Sequence, residues 1–226
     1  MTLSINQYVV NISHYLKGDI NMTKLYTTPY GEEFDSVLSR LLEVESPVVT
    51  NDPDDPGKLT CCGISRAYNP HWPGWKDIDE GLSSGKIKLG KTLPKEYIEN
   101  TISSFYFENY WTAYGCDLVP PSLAEEMFDQ AVNPGPGTMV KNLQEILNTL
   151  NYDTKTKTRQ FDDLVVDGKW GKNTKARLLE YAKKYTKFIT LAMNCKQGSY
   201  YLGLASSSVA KRKYVKGWIN NRIKLN

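Results

Sequence analysis

The sequence places Glu45, Asp52, Asp54 and Asp55 close together, with the hydroxyl residue Thr60 shortly after them. Glu45 falls at the end of an apolar periodic run, whereas the aspartates share the Pro-studded stretch Asn51-Asp52-Pro53-Asp54-Asp55-Pro56-Gly57. A helix C-terminus carries partial negative charge, and partial burial against Val44 and Val48 acts in the same sense. Both are expected to favour the protonated form of Glu45, while solvated aspartates stay ionised. Two carboxyls in contrasting environments are what glycosidic cleavage needs. One protonates the leaving oxygen; the other directs a water molecule or stabilises oxocarbenium charge. The competing reading is plain surface charge, since acidic residues at helix ends and in Asp-Pro loops are common. Glu43 is an alternative acid, but it lies about 200° around the helix from Glu45, so only one of them can face a given side.

Tyr68, Trp72 and Trp75 follow in a Pro-rich loop and could wall a sugar cleft or anchor the loop as core. Cys61 or Cys62 with His71 could form a Cys peptidase pair, although no orienting Asn or Asp motif accompanies them. The other cysteines are Cys116 and Cys195, there is no C-x-x-C pair, and His14 is the only other histidine. A zinc site with several His ligands and a secreted disulfide scaffold are therefore not expected, and no cofactor is.

Several elements must hold these residues. Phe34, Val37, Leu38, Leu41 and Leu42 follow i, i+3, i+4, i+7, i+8 and predict an amphipathic helix over 33–45, closed by Pro47. Residues 50–75 read as loop with a small hairpin near Leu59–Ser65. A helix is expected from Pro94 to about Tyr114. Ser122-x-x-Glu125 reads as a capping box before Met127, Phe128, Ala131 and Val132. Asn133-Pro134-Gly135-Pro136-Gly137 ends that helix. Thr138 is a candidate cap for the next, with Val140, Leu143, Ile146, Leu147 and Leu150 inward. Asp167-Gly168 marks a turn, and two further helices are expected over 173–195 and 207–219.

The chain has 226 residues, 40% hydrophobic and 23% charged, ordinary values for a globular protein with one large or two small domains. They exclude collagen, a coiled-coil rod and a wholly disordered chain, and no apolar run reads as a membrane span. The net charge of +3 hides an asymmetry. Residues 1–138 carry 10 Lys and Arg against 19 Asp and Glu, whereas residues 139–226 carry 18 against 6. So basic a half fits an anionic polymer or a solvated helical surface. A nucleic-acid binder would rest on that charge alone, with no recognition motif, so no nucleic-acid partner is expected.

The motifs together carry a resemblance. Leu42, Glu45, Asn51-Asp52-Pro53, Asp55-Pro56-Gly57, Thr60 and Gly63-Ile64 resemble the opening of glycoside hydrolase family 108. That family comprises muramidases of phages and of bacterial holin-linked secretion systems. Glu45-x8-Asp54-x5-Thr60 also resembles the Glu, Asp, Thr triad of phage-type lysozymes. Tyr110-Trp111, Leu123-Ala124, Phe128-Asp129-Gln130-Ala131-Val132-Asn133 and Gly135-Pro136-Gly137 look like the central helix and following loop of the family. Leu143-Gln144 with Asp167-Gly168, Gly171 and Thr174 resembles a peptidoglycan-binding motif, and Lys216-Gly217-Trp218-Ile219-Asn220 with Arg222 a terminal signature. The family usually reads Glu-Gly-Gly-Tyr where this chain has Glu45-Ser46-Pro47-Val48, with one extra residue before Asn51.

The resemblance implies a mainly α (α+β) protein. Residues 1–30 would be an arm and 31–137 a lysozyme-like helical catalytic domain with a small β-hairpin. Residues 138–226 would be a helical peptidoglycan-binding region packed on that domain. It implies hydrolysis of the β-1,4 bond between N-acetylmuramic acid and N-acetylglucosamine. Glu45 would be the general acid, Asp54 the water-orienting carboxylate and Thr60 a holder of that water. Asp52, Asp55, Tyr68, Trp72, Trp75, Phe128, Asp129 and Asn133 are the substrate-binding candidates. The expected partner is bacterial peptidoglycan, reached from the cytoplasm through a holin or similar pore because no export signal is visible. A monomer without membrane insertion is expected. The alternative is a catalytically silent wall-binding or structural module.

Overall fold

The computed structural model of the protein describes residues 25–52 and 58–223. Most of the N-terminal arm, and Asp54 and Asp55, lie outside the described residues. The chain forms two compact units that divide between Asn109 and Tyr110.

In the first unit, α1 (Glu32–Glu45) buries Phe34, Leu38, Leu41 and Leu42. Their spacing lays an apolar stripe along one helix face. The acidic first turn suits the positive end of the helix dipole. One of its members, Asp35, also ties down the incoming segment by accepting from the backbone N–H of Thr28 at 3.0 Å and from its hydroxyl at 2.6 Å. The helix stops at Ser46, whose φ of 58° and ψ of 121° lie where glycine is at ease. Such a conformation costs a serine about 1–3 kcal/mol. Pro47 then prevents any further helical turn.

Three antiparallel strands follow in the order β1 (Val49–Asn51), β2 (Leu59–Cys61), β3 (Ile64–Ser65). Val49 faces Cys61 and Cys61 faces Ile64, so one face of the sheet is apolar and buried. Thr50, Thr60 and Ser65 are paired across the other face, as the two-residue alternation of strands requires. The expected hairpin is thus part of a larger sheet, because the segment after Glu45 is itself a strand. A second grip fixes that segment: Leu93 N–H donates to Pro47 O at 2.7 Å and Gly90 N–H to Val49 O at 2.8 Å.

Beyond the sheet, α2 (Trp75–Ser83) lies in the stretch just after the Pro-rich loop and was not expected from the sequence. Trp75 and Ile78 supply its buried face. The helix expected from Pro94 is present with Pro94 as its N-cap. It runs through α3 (Lys95–Tyr97) and α4 (Ser103–Tyr106), with π-helical turns at Ile98–Ile102 and Phe107–Thr112. Each π turn inserts a residue and rephases the faces on either side, so Tyr106 is placed where an unbroken α-helix would not put it.

The second unit is built on α5 (Pro121–Val132), α6 (Pro136–Thr149), α7 (Lys172–Ser207) and α8 (Arg212–Arg222). Leu123 and Met127 of α5, Leu143 and Leu147 of α6, and Ile189 and Met193 of α7 are among its buried side chains. Neither expected side-chain cap is used. Proline opens α5 and α6 in the first turn, and the caps are Pro120 and Gly135, since the fixed φ of proline already suits that turn. Helix α7 does not stop at Cys195. Met193, Gln197, Tyr201 and Ala205 stay buried at four-residue steps, and this inward stripe carries the helix past Gly198 and Gly203. One small antiparallel sheet amid helices makes the protein α+β, mainly α, as expected.

Candidate active site

Glu45 is the last residue of α1 and is half-buried, whereas Glu43 is exposed. The Glu45 side chain lies against the turn between β2 and β3. A Cβ placed on Gly63 would meet Glu45 Oε2 at 3.5 Å and Tyr106 Oη at 3.0 Å. Tyr106 Oη in turn donates to Cys62 O at 2.7 Å. Three separate elements therefore converge on Gly63: the end of α1 through Glu45, the β2–β3 turn itself, and a tyrosine set between two π turns. Tyr106 lies within the helix expected from Pro94, and no local signal in the sequence marks it for the site.

Gly63 has a φ of 81°, so its conformation as well as its missing side chain belongs to the site. Gly63→Ala is expected to lose about 1–2 kcal/mol from the left-handed backbone alone, measured by urea unfolding. The added methyl must also displace Tyr106 or Glu45, so clearing of a peptidoglycan suspension should fall further than that stability loss explains.

Thr60 sits at the centre of the hydroxyl face, opposite Thr50 and Ser65, and donates to Lys58 O at 3.3 Å. Its lone pairs can still accept from water. Asp52 is exposed directly after β1. Thr50 was missed by sequence reasoning, and only its register opposite Thr60 reveals it.

The aromatic residues divide by role. Trp75 is buried, donates its indole N–H to Asn69 O at 2.7 Å and lies under the Arg66 guanidinium at 4.4 Å. It anchors the loop. Trp72 is half-buried and meets Trp75 and Phe105 edge-on at 4.9 and 5.3 Å. Tyr68 is exposed, with a ring that a sugar can reach. Cys61 and Cys62 are buried with their sulfurs 3.9 Å apart. The hydrogen bond shared with Cys61, together with burial, pushes the Cys62 thiol well above its ordinary value. A nucleophilic cysteine needs the reverse, so the peptidase alternative has no footing here.

Residues 38–135 match the family model described as glycosyl hydrolase 108, and residues 138–223 match one described as a predicted peptidoglycan domain. Residues 38–135 thus carry a glycosyl hydrolase 108 domain. With the second domain, the protein is a glycoside hydrolase that acts on peptidoglycan. A solved structure, SagA of Brucella abortus, is similar over 84% of this chain and 91% of its own, at 21% identity and a TM-score of 0.49. No curated protein matches the sequence at a significant level.

Within the glycosyl hydrolase 108 segment, Phe128, Asp129 and Asn133 lie on or next to α5 in the second unit. Phe128 is buried against Trp111, with ring centroids 5.9 Å apart. Asp129 accepts from Arg222 Nη1 at 2.8 Å, from the Gln197 amide and from Asn133 Nδ2 at 3.0 Å. These bonds tie α5 to α7 and α8, and Asn133 is drawn into the same network. Arg222 of the terminal signature thus has a structural partner.

In the peptidoglycan domain, the motif residues Gln144, Asp167, Gly168 and Thr174 form one cluster. Gln144 Nε2 donates to Asp167 Oδ1 at 3.0 Å and to Thr174 Oγ1 at 3.1 Å, and Gln144 Oε1 accepts from Gly168 N–H at 2.9 Å. Gly168 has a φ of 73°, and a Cβ there would lie 2.7 Å from Gly137 O. Two further amides extend this grip at i+4 and i+7. Asn148 pairs with both backbone groups of Leu164, at 2.8 and 2.9 Å. Asn151 does the same with Phe161, at 2.8 and 3.1 Å. Sequence reasoning missed both, although their spacing from Gln144 was the available signal.

Proposed function

We propose that this peptidoglycan hydrolase is an N-acetylmuramidase with Glu45 as its general acid. The observation that carries the reading is the Glu45 carboxyl, which converges with Tyr106 on Gly63 inside a glycosyl hydrolase 108 segment. In the proposed reaction, Glu45 gives its proton to the glycosidic oxygen as the bond to the anomeric carbon of N-acetylmuramic acid breaks. Water adds its oxygen to that carbon and gives up a proton to a carboxylate of the hairpin loop, with Thr60 as a hydrogen-bond partner. Asp54 fits the spacing of that carboxylate, and Asp52 or Asp55 could take its place. General acid–base participation of this kind accounts for about 10²–10⁴ in rate.

The enzyme is further proposed to act as a monomer on the cell wall, as a phage endolysin or a secretion-linked muramidase. It would be made in the cytoplasm and released through a holin or similar pore. Mass analysis of digested, borohydride-reduced peptidoglycan tests the chemistry. Reduced muramic acid at the new ends is the expected product. New ends at N-acetylglucosamine, anhydro-muramic ends or cut peptides would each overturn the reading. Intact wall bound by the protein would favour the silent wall-binding module.

A further inference from the structure

A cavity of about 650 Å³ opens in the second unit, between the 161–171 segment and the start of α7. One wall is the extended segment whose main chain is gripped by Gln144, Asn148 and Asn151, so the wall is formed before any ligand arrives. The cavity is lined by charges of both signs: Asp162 and Asp163 on the segment, Lys169 and Lys172 near the helix start, and Arg177 one turn further on. Lys175 N–H makes the first bond of the α7 ladder, to Gly171 O. The backbone N–H groups of Lys172, Asn173 and Thr174 precede that bond at the positive end of the helix, whose first straight part runs to a kink at Tyr185.

Two observations bear on what the cavity takes. Its aromatic ring, Phe161, is capped by the Arg177 guanidinium at 3.3 Å from the ring centroid, and Tyr181 sits beside it. The guanidinium occupies one face of that ring, so a pyranose cannot stack there. Arg177 also donates from Nη1 to Glu180 Oε2 at 2.6 Å, which leaves Lys169 and Lys172 as the cavity's other cations.

We infer that this cavity binds the stem peptide of peptidoglycan rather than its glycan strand. Stem peptides carry carboxylates and a free ammonium on a short extended backbone, and the glycan strand is largely uncharged. The carboxylate belongs with the start of α7 and Lys172, and the ammonium with Asp162. This inference rests on peptidoglycan being the substrate, not on the identity of the bond cut.

The test uses the full-length protein, with backbone amides followed by NMR. The probes are the tripeptide L-alanyl-γ-D-glutamyl-diaminopimelate and, separately, chitotetraose. The tripeptide should shift the Lys172, Asn173 and Thr174 amides saturably, and chitotetraose should leave them in place. The exposed pair Asp162→Asn and Lys172→Gln, combined, should weaken the tripeptide by about tenfold or more with the unfolding temperature unchanged. Tripeptide that leaves these amides unshifted, equal affinity in the double variant, or shifts produced by chitotetraose would each overturn the inference. A protein that cuts the wall but ignores the tripeptide refutes this site alone. One that binds the tripeptide yet leaves the glycan uncut refutes the muramidase reading alone.

Discussion

Glu45→Gln should lower turnover of peptidoglycan by about 10²–10⁴-fold, with unfolding unchanged to within about 0.5 kcal/mol. The amide has nearly the same shape as the carboxyl, so packing against Gly63 and Tyr106 survives, but it cannot deliver a proton to the leaving oxygen. Glu43→Gln is the matched control. It lies on the same helix two residues earlier, its side chain is exposed, and its activity should stay close to that of the wild type. Loss of turbidity of purified cell walls measures both. Equal clearing by Glu45→Gln and the parent would remove Glu45 from the mechanism, and loss in both variants would point to a charge effect on binding.

The second large effect is on stability. Gln144 is only 2% exposed, and its amide serves Asp167, Gly168 and Thr174 together. Gln144→Leu keeps the volume but strands the buried Thr174 hydroxyl and the Gly168 N–H, whereas the exposed Asp167 carboxyl can turn to water. We expect a loss of about 2–4 kcal/mol, since each unsatisfied buried group costs roughly 1–3 kcal/mol. The loss should depend on pH. The hydrogen bond from Gln144, followed by that from Lys169 N–H, holds the Asp167 carboxyl below its ordinary value. A depressed folded value gives stability that is present above the unfolded value and disappears as pH falls through the folded one. The gap between variant and parent in urea unfolding should therefore narrow as the pH is lowered below the ordinary carboxylate range. A gap that stays constant with pH would show that Asp167 plays no part in it.

What the sequence made legible was whatever depends on short-range pattern. The stripe of Phe34, Leu38, Leu41 and Leu42 foretold α1 and put Glu45 at its end. Asp167-Gly168 announced a turn, although not that Gln144 would hold it. Contacts across long separations stayed hidden. Tyr106 reaches the Cys62 carbonyl from 44 residues away, and π turns that shift helical phase leave no trace in apolar periodicity. The strand β1 was read as loop because three residues beside Pro47 are too few to show alternation, and its partners lie beyond the aspartate loop. Trp75 illustrates a different difficulty: composition alone does not separate a tryptophan that greets a sugar from one that pins a loop.

Gln144, Asn148 and Asn151 clasp carbonyls and amide hydrogens, which every residue type but proline carries in full. At Asp162, Val165 and Val166 the exposed side chains bear little of the burden of staying in place. Evolution can therefore rewrite these three much as an antibody rewrites a loop on a fixed framework. Homologues that act on differently composed walls should diverge there first, over an unaltered trio of carboxamides.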